Sequence, residues 1–223
     1  MEIKFDSGKK EEAIKFIKNL KKQDNLAIIS HNDLDGLASA KVLEKISSPK
    51  LIELISYDKI SSLLPLLKRN KINKIIFLDL SLDFPGSLSS FESLAEVLII
   101  DHHQFKNDLS SSRTTFLNAQ GYCASYLCYS LFSEQSDLKE LDWLVVLASL
   151  ADWLYLKNTS WIIHVYEKYG ENLDLKKVQG GKFWESVLTV SDCLIYFKDN
   201  PKKAYDLINS ERLTAILLAL VMF

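Results

Sequence analysis

The sequence predicts an α/β fold: a parallel sheet of about five strands covered by helices on both faces, followed by an all-helical carboxyl-terminal region. Three observations carry that expectation. Short apolar runs alternate with segments of helical periodicity over the first half of the chain. Several of the runs are apolar at consecutive positions, as strands buried on both faces must be. The β pattern then stops after residue 117.

Residues 9–23 place Ala13, Ile14, Phe16, Ile17 and Leu20 at helical spacing among lysines, which predicts an amphipathic helix. Leu26 to Ser30 (LAIIS) reads as a strand and Asp35 to Ile46 as the helix after it. The alternation repeats with a strand at 51–57, a helix up to Arg69, a strand at 74–80 (KIIFLDL), a short helix at 87–94 and a strand at 96–100 (EVLII). Thr114 to Leu117 is a candidate edge strand. Helices are predicted at 122–134, 138–153, 159–169, 183–197 and 201–222, punctuated by Gly170, Gly180, Gly181 and Pro201. The division expected is an α/β core over 1–135 and a helical region over 136–223.

Composition narrows the function classes. The chain has 223 residues with 27 Lys+Arg against 29 Asp+Glu, a net charge of -2, so no global positive field draws in nucleic acid. A phosphate-rich ligand must then be held by a local site. Cys123, Cys128 and Cys193 form no CxxC pair, which argues against a disulfide framework and against a thiolate zinc site and fits a reducing, cytoplasmic setting. The longest apolar run, residues 213–223, is about half the ~20 residues a membrane span needs, so no membrane partner is expected. That run predicts a helix apolar almost all round, which must meet other protein; a homodimer contact or a further domain is the expectation.

The chemistry concentrates at the carboxyl ends of the predicted strands, where an open parallel sheet binds its ligands. His31-Asn32-Asp33-Leu34-Asp35-Gly36 follows LAIIS, Asp79 ends KIIFLDL, and Asp101-His102-His103 follows EVLII. Singly, each Asp or His has an ordinary explanation; Asp33 or Asp35, for example, suits the N-cap of the helix that follows. Together they bring several like charges to one sheet edge, where they repel unless cations sit among them. Imidazole and carboxylate without thiolate suit a divalent ion of intermediate hardness, Mn²⁺ ahead of Mg²⁺, Co²⁺ or Zn²⁺.

These motifs resemble those of the DHH phosphoesterases: HNDLDG at 31–36, Asp79 in FLDLS, the triplet at 101–103, and ASLADW at 148–153, which offers Asp152. The spelling His-x-Asp-x-Asp-Gly is similar to that of the RecJ-like nuclease branch, including its archaeal members. The resemblance implies two Mn²⁺ ions, with Mg²⁺ as the alternative. One ion would be held by His31, Asp33 and Asp79 and the other by Asp35, Asp79, His102 and Asp152, with Asp79 bridging. Asp101 and His103 are then the catalytic candidates, His103 beside the phosphate as a hydrogen-bond donor. The family's two-domain members carry a Gly-rich, His-ending motif that grips substrate; Gly180-Gly181 runs instead into Lys182, Phe183 and Trp184, so the helical region is expected to lead toward a second domain outside this sequence.

The implied activity is a RecJ-like exonuclease acting on single-stranded DNA or short RNA, with replication or repair proteins as partners. The competing readings are a non-catalytic scaffold of the same fold and a small-nucleotide phosphodiesterase or phosphatase. A retired site loses ligands, whereas this sequence retains the full set, which favours catalysis. Arg113, in the loop past the triplet, is the candidate phosphate contact. Tyr122, Tyr126, Tyr129, Trp143, Trp153, Tyr155 and Trp161 suit base stacking, yet aromatics at helical spacing are more often core.

Overall fold

Strands that are apolar on consecutive positions have two faces to bury, and the fold satisfies both. The computed structural model describes residues 3–83, 86 and 88–208. Its sheet contains β1 (Leu26–His31), β2 (Leu51–Ile55), β3 (Lys74–Leu78), β4 (Glu96–Asp101) and β5 (Thr114–Asn118). All four pairings are parallel, in the order β2-β1-β3-β4-β5. The helices are α1 (Lys10–Lys18), α2 (Leu34–Ser47), α3 (Leu64–Arg69), α4 (Ser89–Glu92), α5 (Ala124–Phe132), α6 (Asp142–Ala151), α7 (Thr159–Lys168), α8 (Gly181–Tyr196) and α9 (Pro201–Leu207); a 3₁₀ turn spans Tyr57–Leu63.

Side chains alternate across the sheet. Ile28, Ile76, Leu78, Leu98 and Ile100 join one core with α2, α5, α6 and α8. Ala27, Ile29, Ile75, Phe77, Val97 and Ile99 join a second, smaller core with α3, α4 and the 3₁₀ turn. The late helices therefore pack on the face that α2 covers, and Phe183, Val187, Val190 and Tyr205 belong to that same cluster.

This strand order has its switch point between β1 and β3, where successive crossovers leave in opposite directions and a crevice opens at the carboxyl ends. Register fixes what meets there: Ser30 pairs with Leu78, Leu78 with Ile100, and Asp101 with Asn118. Among the described residues no helix is long and apolar enough to cross a membrane. The predicted apolar helix at the end of the chain lies outside the described residues.

Candidate metal centre

The first motif is shaped by backbone before its side chains are considered. At Gly36 a Cβ would lie 2.1 Å from the carbonyl oxygen of His31, so the first turn of α2 closes on the end of β1 only with glycine there. Asp33 caps that helix, its Oδ1 accepting from the Gly36 amide at 2.9 Å. Its other oxygen, Oδ2, stands 2.7 Å from His31 Nδ1. Asp35, the second residue of α2, is fully buried, and its carboxylate accepts from the amides of Ala124 and Ser125 at 2.6 and 2.9 Å. Those amides belong to the first turn of α5, whose own N-cap, Cys123, makes no side-chain cap bond. Of the two N-cap candidates at the head of α2, Asp33 fills that role; Asp35 caps a different helix.

Asp79 ends β3 with its backbone in the left-handed region, φ 56°, while its amide still donates to Ile100 O at 3.1 Å. Aspartate tolerates that conformation better than most residues, and it stops the strand at Leu78, two residues short of the predicted end. The carboxylate is buried; Oδ1 lies 3.0 Å from His102 Nε2, whereas Oδ2 is 3.8 Å from His31 Nδ1 and has no hydrogen-bond partner. His102 Nε2 also stands 3.7 Å from Asp35 Oδ2 and 3.6 Å from Asp152 Oδ2. Asp152 reaches it as the residue that follows α6.

Three groups of ligand atoms result: His31, Asp33 and Asp79; Asp35, His102 and Asp152; and Asp79, His102 and His103, each within 4.8 Å. Metal–ligand bonds of ~2.1 Å let two ligands of one ion stand up to roughly 4.2 Å apart, and the His–Asp separations within the first two groups satisfy that limit. Asp79 belongs to two of the three groups.

His103 occupies a different position. Its Nδ1 lies 2.7 Å from Asp101 Oδ1, its Nε2 is 3.3 Å from Tyr57 Oη, and its backbone carbonyl accepts from Asn118 Nδ2 at 2.9 Å. Tyr57 also packs its ring 4.8 Å from that of His31. Sequence reasoning missed Tyr57, because no motif of several metal-ligating residues marks the loop after β2.

Electrostatics show the strain of gathering these groups. Burial raises the Asp35 carboxyl pKa, and holds that of Asp79 well above the usual range, where the Asp35 and Asp33 charges add to the effect. Asp152 is pushed up to about 8, by burial first and then by the Asp35 and Asp33 charges. Burial opposes ionisation of Asp33 too, but the hydrogen bond and charge of His31 outweigh it and its pKa is lowered. His102 is lowered by burial; His103 is raised, chiefly by its bond to Asp101. Burial, then the charges of Asp79 and Asp101, raises Tyr57. A cluster that resists ionisation in this way is one that divalent cations relieve.

Arg113 does not join this site. It directly precedes β5, and its carbonyl accepts from Val97, at the start of β4. It therefore lies at the amino edge of the sheet, opposite the carboxylates, because a strand added in parallel must begin where its neighbour begins. A basic group that does reach the carboxyl side is Lys157, whose Nζ donates to Gln120 O, just past β5, at 2.7 Å.

The fold with this five-stranded parallel sheet is shared with solved structures, one of which is named for its DHH domain. The fold is that of the DHH domain. RecJ in complex with Mn²⁺ from Thermus thermophilus matches over 96 % of this chain and 37 % of its own, with a TM-score of 0.59 and 14 % identity. An exonuclease RecJ bound to manganese matches over 100 % of this chain and 66 % of its own, with a TM-score of 0.62 and 14 % identity. The DHH domain of a protein described as a member of a ribosomal-protein family matches over 95 % and 58 %, with a TM-score of 0.65 and 11 % identity. The chain thus spans between about a third and two thirds of these DHH-fold structures. No family model matches the sequence, and no curated protein does.

Proposed function

We propose that this DHH-fold protein is a metal-dependent phosphodiesterase that hydrolyses single-stranded nucleic acid from an end, using two Mn²⁺ ions. The observation that carries the reading is the buried Asp79 carboxylate: it stands between two His/Asp groups, and one of its oxygens has no hydrogen-bond partner. A buried carboxylate oxygen left in that state is costly unless a cation completes it. His31, Asp33 and Asp79 would hold one ion and Asp35, Asp79, His102 and Asp152 the other. Divalent ions there supply Lewis-acid stabilisation of the phosphoryl oxygens and acidify an attacking water.

The chain's own groups do the rest. Asp101 holds His103 by Nδ1 and favours its imidazolium, so that Nε2–H can donate to a non-bridging phosphate oxygen as charge develops there. Tyr57 borders His31 and His103 on the exposed side and limits how that imidazole turns. The amides of α5 hold Asp35 in the orientation in which it faces His102. A phosphate held at this centre rather than by a Lys/Arg field would be bound with only a gentle dependence on salt. A cytoplasmic setting and a place among replication or repair proteins accompany this reading.

The test is cleavage of single-stranded oligonucleotides by the Mn²⁺-loaded protein, with EDTA as the control. Metal-dependent release of nucleotides is the expected result. A metal-replete protein that cleaves neither oligonucleotides nor dinucleotides would overturn the reading in favour of a scaffold of the same fold.

A further inference from the structure

Four of the candidate aromatics, Tyr122, Tyr126, Tyr129 and Trp161, pack together on the α5 side, where Tyr122 and Tyr129 are buried. Trp153 differs from them in three respects. It is 52 % exposed. It adopts φ 58°, a left-handed conformation that a bulky side chain rarely takes. It is also the residue directly after Asp152, so its Cα lies ~3.8 Å from that of a candidate ligand.

The backbone explains the placement. Asp152 and Trp153 donate to Ala148 and Leu150, and Leu154 then donates to Ser149 at 2.9 Å, so α6 ends in a left-handed turn on Trp153 itself. Glycine is the ordinary occupant of such a position, because it meets no Cβ penalty there. A tryptophan in its place puts a large, half-exposed side chain on the residue that directly follows Asp152. Trp184 of α8 and Tyr155 hold that ring from the side, with centroids 5.8 and 6.4 Å away and planes inclined by 54° and 48°. Neither neighbour lies flat against it.

We infer that Trp153, braced by Trp184 and Tyr155, is a stacking platform for the nucleobase of the nucleotide whose phosphate occupies the centre. The inference rests on the phosphodiesterase reading for its phosphate and adds the residue that receives the base. Stacking accepts every base, because each has a π face, and it needs no positive field. That suits a chain with a net charge of -2. An exposed aromatic cluster also suits a protein partner, but an interface gives no reason for the strained tryptophan to adjoin Asp152.

The test is calorimetric titration of the Mn²⁺-loaded full chain with dAMP and, separately, with 2-deoxyribose 5-phosphate, which lacks the base. Wild type is expected to bind dAMP more tightly by about 5- to 150-fold, the range base–aromatic stacking spans. Trp153→Gly, whose backbone takes positive φ without strain, is expected to bring the two affinities together, while Trp153→Phe keeps most of the difference. Should the glycine variant not fold, Trp153→Asn, which also tolerates that conformation, takes its place. Equal affinities in wild type, or a preference for dAMP that survives loss of the ring, would overturn the platform and leave the cluster as a protein contact. Oligonucleotide cleavage in the same preparations separates the two readings. Base preference without cleavage removes the phosphodiesterase and keeps the platform; cleavage without base preference does the reverse.

Discussion

Asp35 and Ser125, 90 positions apart in the chain, are joined by a 2.9 Å hydrogen bond in which the Ser125 amide donates to Asp35 Oδ1. With the Ala124 amide on Oδ2, this makes one carboxylate both a candidate ligand and the cap of a helix it does not belong to. Metal-free Asp35→Ala, which leaves two buried amides without a partner, is expected to be less stable than Asp35→Asn, which keeps one acceptor oxygen. The difference should be about 1–3 kcal/mol in urea unfolding. Equal stabilities would show that the α5 amides find another acceptor.

Asp79→Ala removes a side chain shared by two of the ligand groups. Loss of supporting groups around a metal typically costs 10- to 100-fold, so loss of a shared ligand should lower activity by at least about a hundredfold. Metal content measured on the purified variant should fall with it. Activity within a few-fold of wild type would rule out a bridging role.

Stability without metal should fall as pH rises. Asp152 has a folded-state pKa of about 8 against an ordinary 3.8, and Asp35 and Asp79 are raised with it. Over that interval the folded state binds more protons than the unfolded one, so the stabilisation is complete below about pH 4 and is lost by about pH 8. Thermal midpoints in EDTA should decline across the window, and added Mn²⁺ should restore more at its upper end. Midpoints that rise with pH would contradict the clustering of these carboxylates.

Asp101→Asn weakens the hold on His103, whose raised pKa owes most to that bond. An imidazolium that donates to phosphate is lost as pH climbs, so the alkaline decline of kcat should begin at lower pH in the variant than in wild type. Bound metal should be unchanged. His103→Ala should lower kcat about 10²- to 10³-fold, the scale of one lost donor to developing charge.

How much of this was legible in the sequence depends on what holds each residue. The strands β1 to β4 were readable because Ile28 and Ile29, or Ile75 and Ile76, are apolar toward both faces, and the strand-end positions of His31, Asp79 and Asp101 followed. The apolar pattern runs past the end of β3 because the left-handed turn at Asp79 leaves no mark in composition. Arg113, expected beside the phosphate, stands at the far edge because a parallel β5 begins where β4 begins. Tyr57 was invisible because its role depends on β2 lying beside β1, and the dual duty of Asp35 because α5 arrives much later in the chain. The exposure of Trp153 is not legible, since spacing cannot show that a helix ends just before it.

The wide separation of the ligand groups along the chain bears on how the protein comes into being. His31, Asp33, Asp35 and Asp79 are all synthesised before the amides that hold Asp35 and well before Asp152. At roughly 5–20 residues per second, the ~70 residues between Asp79 and Asp152 take several seconds to emerge. Until Asp152 and the amides of α5 follow, His31, Asp33 and Asp79 form a ligand group whose members are all present, without the later helices. A divalent ion taken up by Asp35, His102 and Asp152 would therefore require that α6 has already docked, whereas one taken up by His31, Asp33 and Asp79 would not.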